Sequence, residues 1–282
     1  MRFKLQDCTF NRVRNDILSL GRRPLLEELS RSRLLLAFDY DGVLAPLGPS
    51  SRRARMRAAT RRLLGAAARR YPTVVVSGRA YRDLVRLVGG AVPILVGNHG
   101  FEVGCEVPVP RAVLARVAGW RRELALRLAH LPGVSLEDKR STLSVHYDRA
   151  PSLRRAGTAV LSAARQLHGA RLVPGKKVVN VLPAHFPTKG DAVRELLAQA
   201  GLETALYLGD DVTDEDVFAL GEPAVVGVRV GPGPTQAPYR LGDQADIDEF
   251  LRLLASLRGD GTAAPGLDAT RPPLEDGKGR RR

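Results

Sequence analysis

The sequence predicts an α/β fold: a parallel sheet covered by helices on both faces, interrupted by a smaller α+β insert. Three observations predict it. Short apolar runs alternate with segments of helical period, the pattern of parallel strands joined by crossover helices. Runs such as Leu34-Leu35-Leu36-Ala37-Phe38 and Val74-Val75-Val76 are apolar at every position, as strands buried on both faces require. Between about 103 and 182 the pattern becomes an alternation of apolar and polar residues, which fits an antiparallel sheet with one open face.

Taken in order, Leu34–Phe38 is the first strand, and Arg52 to Arg70 places Met56, Ala59, Leu63, Leu64 and Ala67 on one helical face. Val74–Val76 is the second strand, Tyr81–Val88 a short helix and Ile94–Val96 the third strand. In the insert, the helix Arg111–Ala129 carries Val113, Val117, Trp120, Leu124 and Leu128 at helical spacing, so Trp120 reads as packing. Thr142 to Tyr147 sets Leu143, Val145 and Tyr147 on one face and Thr142, Ser144 and His146 on the other. A helix with Leu153, Val160, Leu161, Ala164 and Leu167 and a strand Val178–Leu182 follow. After Lys189 the earlier rhythm resumes. A helix runs to Ala200, then come a strand Ala205–Leu208, a helix near Asp214–Leu220, a strand Ala224–Val228 and a last helix Ile247–Leu257. The organisation is an N-terminal extension 1–29, a core of 30–102 and 183–258, an insert of 103–182, and a disordered tail 259–282 rich in Gly, Pro, Asp and Arg.

The 282 residues are 44% hydrophobic and 26% charged, which excludes a wholly disordered chain. Cys8 and Cys105 are the only cysteines, so a disulfide scaffold is excluded; both are expected as buried thiols in a reducing compartment. No apolar run approaches the ~18 residues of a membrane span. Lys4, Asp7, Arg12 and Arg14 stand where a signal peptide would be apolar, so the expectation is a cytoplasmic protein with no membrane contact. The formal charge of +14 is uneven: residues 1–72 hold 16 basic and 6 acidic side chains, whereas 203–258 hold 4 and 11. Arginines spread through Ala/Arg/Leu-rich helices read as solvated faces, and no nucleic-acid partner is expected. The competing class is a non-catalytic, regulatory module that binds nucleic acid through the basic N-terminal quarter, with steeply salt-dependent affinity.

In an open parallel sheet, ligands bind beyond the carboxyl ends of the strands. Those ends carry Asp39 and Asp41, Ser77-Gly78-Arg79, Gly97-Asn98-His99-Gly100, and Gly209-Asp210-Asp211 with Asp214; Lys189 opens a helix beside Gly190. Asp39, Asp41 and Asp210 are hard oxygen donors, which suit Mg²⁺ together with a phosphate oxygen. A lysine at a helix start, a serine hydroxyl and free backbone N–H groups suit a phosphate. A lysine there is otherwise unfavourable, because the helix start is already positive. Together these groups imply phosphoryl transfer: one aspartate attacks phosphorus, and a second carboxylate two residues on protonates the leaving alcohol and then activates water.

The motifs Asp39-Tyr40-Asp41-Gly42-Val43-Leu44, Ser77-Gly78-Arg79, Lys189-Gly190 and Gly209-Asp210-Asp211-Val212-Thr213-Asp214-Glu215, in this order, resemble those of the haloacid dehalogenase-like (HAD) phosphatases over about 33–257. The resemblance implies a Rossmann-like core with Asp39 as nucleophile and metal ligand, and Asp41 as general acid/base with its carbonyl on Mg²⁺. It further implies Ser77, Gly78 and Lys189 as phosphate ligands, and Asp210 as metal ligand supported by Asp211 or Asp214. Within that superfamily the sequence is similar to trehalose-6-phosphate phosphatases. The similarity rests on Gly97 to Glu102, Glu137-Asp138-Lys139 with Ser141 and His146-Tyr147, Gly175-Lys176-Lys177-Val178-Val179, and Gly233 to Leu241. The insert then corresponds to the family's sugar-closing cap, and Arg79, Asn98, His99, Glu137, Lys139 and Asn180 to substrate-binding positions. The implied substrate is a small sugar phosphate, most directly trehalose 6-phosphate, taken by a monomer or weak oligomer. One departure concerns the substrate: where the family has Glu-Ile-Arg/Lys-Pro, this chain has Asn180-Val181-Leu182-Pro183. A related sugar or cyclitol phosphate is therefore the alternative.

Overall fold

The computed structural model describes residues 15–47 and 54–259. Its main sheet has seven strands in the order β11-β10-β9-β1-β2-β3-β4. These are β1 (Leu34–Asp39), β2 (Thr73–Val76), β3 (Ile94–Gly97), β4 (Glu102–Val103), β9 (Thr204–Gly209), β10 (Val225–Val230) and β11 (Tyr239–Leu241). All pair in parallel except β3 with β4. β1 and β10 are buried at every position, which is why their sequences show no alternation.

Each face of this sheet has its own core. On one face Leu34, Leu36, Phe38 and Val75 pack with Leu26 and Leu29 of α1 (Arg23–Arg31), Leu64 of α2 (Ala58–Ala68), Leu84 of α3 (Tyr81–Val88) and Phe250 and Leu254 of α8 (Ile247–Leu257). On the other, Leu35, Ala37, Val74 and Tyr207 pack with Val193 and Leu197 of α6 (Lys189–Ala200) and Phe218 of α7 (Glu215–Phe218).

The second sheet is antiparallel, in the order β5-β6-β8-β7: β5 (Ser135–Asp138), β6 (Leu143–His146), β7 (Ala170–Gly175) and β8 (Val178–Pro183). Leu143, Val145, Val179 and Val181 point one way, onto Val117, Trp120 and Leu124 of α4 (Arg111–Leu128) and Val160 and Ala164 of α5 (Leu153–Arg165). Ser144, His146, Val178 and Asn180 line the cleft on the other side. The alternation seen in Thr142–Tyr147 is thus the boundary between a helix-covered face and a ligand face.

Several expectations are corrected. The helix expected from Arg52 begins only at Ala58; residues 54–57 are irregular, and 48–53 lie outside the described residues. Residues 15–29, the described part of the expected extension 1–29, do not stand apart: Ile17, Leu26 and Leu29 belong to the core, and the Ile17 N–H donates to the Arg240 carbonyl at 2.8 Å. Cys105 is exposed, not buried, and Cys8 lies outside the described residues. The tail from 260 on also lies outside them. Among the described residues no helix is long and apolar enough to cross a membrane.

Candidate active site

The carboxyl ends of β1, β2, β3 and β9 meet the open face of the second sheet at a cleft of about 170 Å³. Asp39, Asp41, Ser77, Gly78, Arg79, His99, Glu137, Lys139, Asn180, Lys189, Asp210 and Asp211 all line it. Two expected residues do not. Asn98 turns its amide away, to Ser141 and to Thr142, whose hydroxyl donates to Asn98 Oδ1 at 2.6 Å. Asp214 lies fully buried beneath the cleft.

Asp39 ends β1, and its Oδ1 lies 3.1 Å from the Lys189 ammonium. Burial pushes the Asp39 carboxyl well above the usual carboxylate range; Lys189 opposes this, while Asp214, Asp210 and Asp41 add to it. Lys189 is itself 2% exposed and also donates to Asp214 Oδ1 at 2.8 Å. Burial disfavours its charge, but Asp214 and Asp39 outweigh that, so its pKa is raised and it stays an ammonium. Asp214 accepts further from the Tyr207 hydroxyl at 2.6 Å and from the backbone N–H groups of Asp210 and Asp211 at 2.9 Å each. Asp214 therefore anchors the lysine and the 210–211 turn.

Carboxylate oxygens of Asp39, Asp210 and Asp214 lie within 4.8 Å of one another. With Asp214 bound by four donors, Asp39 and Asp210 are the two carboxylates of this group that could hold a divalent cation. Burial pushes Asp210 up to about 6, opposed chiefly by Lys176, whose Nζ is 2.7 Å from Asp210 Oδ2. Two buried carboxylates whose charge is penalised form a donor set that a hard cation satisfies. Gly42 makes this geometry possible. Its φ is +82°, and a Cβ there would lie 2.2 Å from the Asp210 carboxyl.

Asp41 is gripped by Arg79, which donates from Nε at 2.7 Å and Nη2 at 2.6 Å and lies over the Tyr40 ring. Arg79, expected to meet substrate, thus first fixes Asp41. On the cap side His146 Nε2 pairs with Glu137 at 2.7 Å. Asn180 holds Ser144 Oγ at 2.6 Å and the Val173 carbonyl at 3.3 Å. Sequence reasoning gave no role to Lys176, Ser144 or Thr213, which also line the cleft. Lys176 stands in the Gly175-Lys176-Lys177 turn already quoted, and a lysine at a strand turn facing the sheet's carboxyl ends was the available signal.

His99 is 7% exposed, and among the described residues neither ring nitrogen meets a partner in hydrogen-bond geometry. Burial, with Lys139, Lys189 and Arg171, pushes its pKa well below the usual 6.5, and the nearby Asn180 amide opposes this only in part. The unfolded chain then binds a proton near pH 6.5 that the folded chain refuses, so stability is lost as pH falls below about 6.5. The variant His99→Asn, which tolerates the left-handed backbone at φ +61°, is expected to lose this acid slope. The difference is up to about 1.4 kcal/mol per pH unit, readable by urea unfolding at pH 7 and pH 5. Parallel pH curves for the two proteins would contradict it.

A buried carboxylate facing a buried ammonium, a second carboxylate two residues on and a cap over the cleft define the class: a HAD-type phosphatase, a phosphoric monoester hydrolase. The family model described as trehalose-phosphatase matches residues 37–245. A trehalose 6-phosphate phosphatase of Zea mays is 29% identical over 265 residues, covering 84% of this chain and 73% of that protein. A trehalose-phosphate phosphatase of Mycobacterium ulcerans is 30% identical over 279 residues, covering 91% and 69%. The C-terminal domain of the Candida albicans trehalose-6-phosphate phosphatase superposes with a TM-score of 0.72 at 24% identity, covering 87% of this chain and all of that one. The chain belongs to the trehalose-phosphatase family.

Proposed function

We propose that this chain hydrolyses trehalose 6-phosphate to trehalose and phosphate, with Mg²⁺, through an aspartyl phosphate on Asp39. The observation that carries this is the buried Asp39 carboxylate, 3.1 Å from Lys189, in the same cleft as Asp41 and Asp210. Lys189 and Ser77 hold the phosphoryl oxygens beside Asp39. One Asp39 oxygen attacks phosphorus while the Asp41 carboxyl gives its proton to the leaving sugar oxygen. Asp41, fixed by Arg79, then takes a proton from the water that attacks the aspartyl phosphate, which frees Asp39 and phosphate. Asp39, Asp210 and the Asp41 carbonyl would hold a divalent cation, whose positive charge would offset that of the phosphoryl group.

The cap supplies Glu137, Lys139, His146 and Asn180 for sugar hydroxyls. Asn180 is a neutral amide held by Ser144 and Val173, so at this position the cap meets sugar hydroxyls with no charge. The test is a phosphate-release screen over disaccharide, hexose, cyclitol and glycerate phosphates with and without Mg²⁺. Trehalose 6-phosphate is expected to be the best substrate. Chelation is expected to abolish release, and added Mg²⁺ to restore it. A cyclitol or hexose phosphate turned over faster would reassign the substrate; undiminished release after chelation would refute the cation.

A further inference from the structure

Three consecutive carbonyl groups of the loop after β2 are held from outside that loop. The Ser77 carbonyl accepts from the His99 N–H at 3.0 Å and the Arg79 carbonyl from the Asn98 N–H at 2.6 Å. The Gly78 carbonyl between them accepts from Lys139 Nζ at 2.9 Å. These bonds fix the peptide planes of the segment that lines the cleft beside Asp39. Two of the three come from Asn98 and His99, which sit at φ +51° and +61°. Successive left-handed residues other than glycine are disfavoured and persist only where the surroundings hold them.

What holds them is the cap. Asn98 is fully buried; its Nδ2 donates to Ser141 Oγ, and its Oδ1 accepts from Thr142 Oγ1 at 2.6 Å. Ser141 and Thr142 are buried as well, and with Lys139 they form the turn between β5 and β6. We infer that Asn98 is a positioning residue through which the cap turn 139–142 braces the phosphate loop. Two cap hydroxyls that do not line the cleft thereby set the affinity for the substrate's phosphate. The inference rests on the reading of Ser77 and Lys189 as phosphate ligands.

The test is calorimetric titration of the full chain, with Mg²⁺ present, using inorganic phosphate as the probe. Two variants approach the brace from opposite sides: the double change Ser141→Ala, Thr142→Val in the cap, and Asn98→Gly, which keeps the backbone freedom and removes the amide. Each is expected to weaken phosphate binding about tenfold, the loss of one or two buried hydrogen bonds. Mg²⁺ affinity is expected to stay within twofold, since Asp39 and Asp210 are untouched. Asn98→Asp, which keeps the acceptor for Thr142, is expected to recover part of the loss. Unchanged phosphate affinity in the cap variant, or equal losses of phosphate and Mg²⁺ affinity, would overturn the inference. If the unaltered protein bound no phosphate, the phosphate-site reading itself would fall, and the inference with it.

Discussion

Asp39→Asn is expected to abolish phosphate release from trehalose 6-phosphate, with kcat lowered by at least about 10⁴. The amide has the same shape, and its oxygen can still accept from the Tyr40 N–H, which now lies 2.8 Å from Asp39 Oδ1. What it lacks is the anionic lone pair that attacks phosphorus. Folding is expected to survive, because burial already penalises the charge that the substitution removes. The variant should therefore melt within a few degrees of the unaltered protein without cation, while losing most of the stabilisation that Mg²⁺ gives. Phosphate release and thermal unfolding with and without Mg²⁺ measure both effects. Turnover within tenfold of the original would remove Asp39 from the chemistry.

The second large effect is structural as well as catalytic. In Lys189→Met the buried ammonium disappears, leaving Asp214 (0% exposed) and Asp39 (4% exposed) without their shared counter-charge. Removing one member of a buried ion pair costs about 3–5 kcal/mol, which lowers Tm by about 10 °C for a chain of this size. The destabilisation has a pH dependence of definite sign. Carboxyls left buried without a cation have raised pKa values and bind protons on folding, so the penalty grows as pH rises above about 4 and shrinks on acidification. Lys189→Met should accordingly lie closer to the unaltered protein at pH 5 than at pH 8, by urea unfolding. An equal deficit at both pH values would mean that the lysine's contribution is packing alone.

The strands of the main sheet were readable because burial on both faces leaves no polar position to confuse the pattern, as in Leu34–Phe38 and Val74–Val76. Tyr81–Val88, Lys189–Ala200 and Ile247–Leu257 were readable to the residue, each with an apolar face at helical spacing. The strands not foreseen are short or thinly covered. β5, Ser135–Asp138, is an edge strand with no buried residue; β7 carries Pro174 and only partly buried side chains; β11 has three residues. Burial, the source of the signal, is what these lack.

The site shows the same division. Position at a strand end followed from the alternation, so Asp39, Ser77 and Asp210 fall together in the cleft. Direction did not follow, because it depends on contacts between segments far apart in sequence. Asn98 turns to Ser141 and Thr142 of the cap, Arg79 closes on Asp41, and Asp214 folds back under Asp210 to take the Lys189 ammonium. Lys176 reaches Asp210 only because the β7–β8 turn hangs over the main sheet. Each of these is a tertiary fact that no local pattern encodes.

The proposed reaction passes a phosphoryl group through Asp39, and its most direct test is to stop it halfway. Asp41→Asn keeps the nucleophile but removes both the acid for the leaving oxygen and the group that activates water, so with an aryl phosphate, whose phenolate leaves without a proton, the acyl phosphate should build up. The variant is mixed with 4-nitrophenyl phosphate and Mg²⁺, quenched in acid within the first turnover, digested and analysed by mass spectrometry. The peptide bearing Asp39 is expected to carry the mass of one phosphoryl group, on Asp39, in an amount that falls to nothing without substrate. An unmodified Asp39 in a variant that still releases phosphate would exclude Asp39 as the phosphoryl carrier.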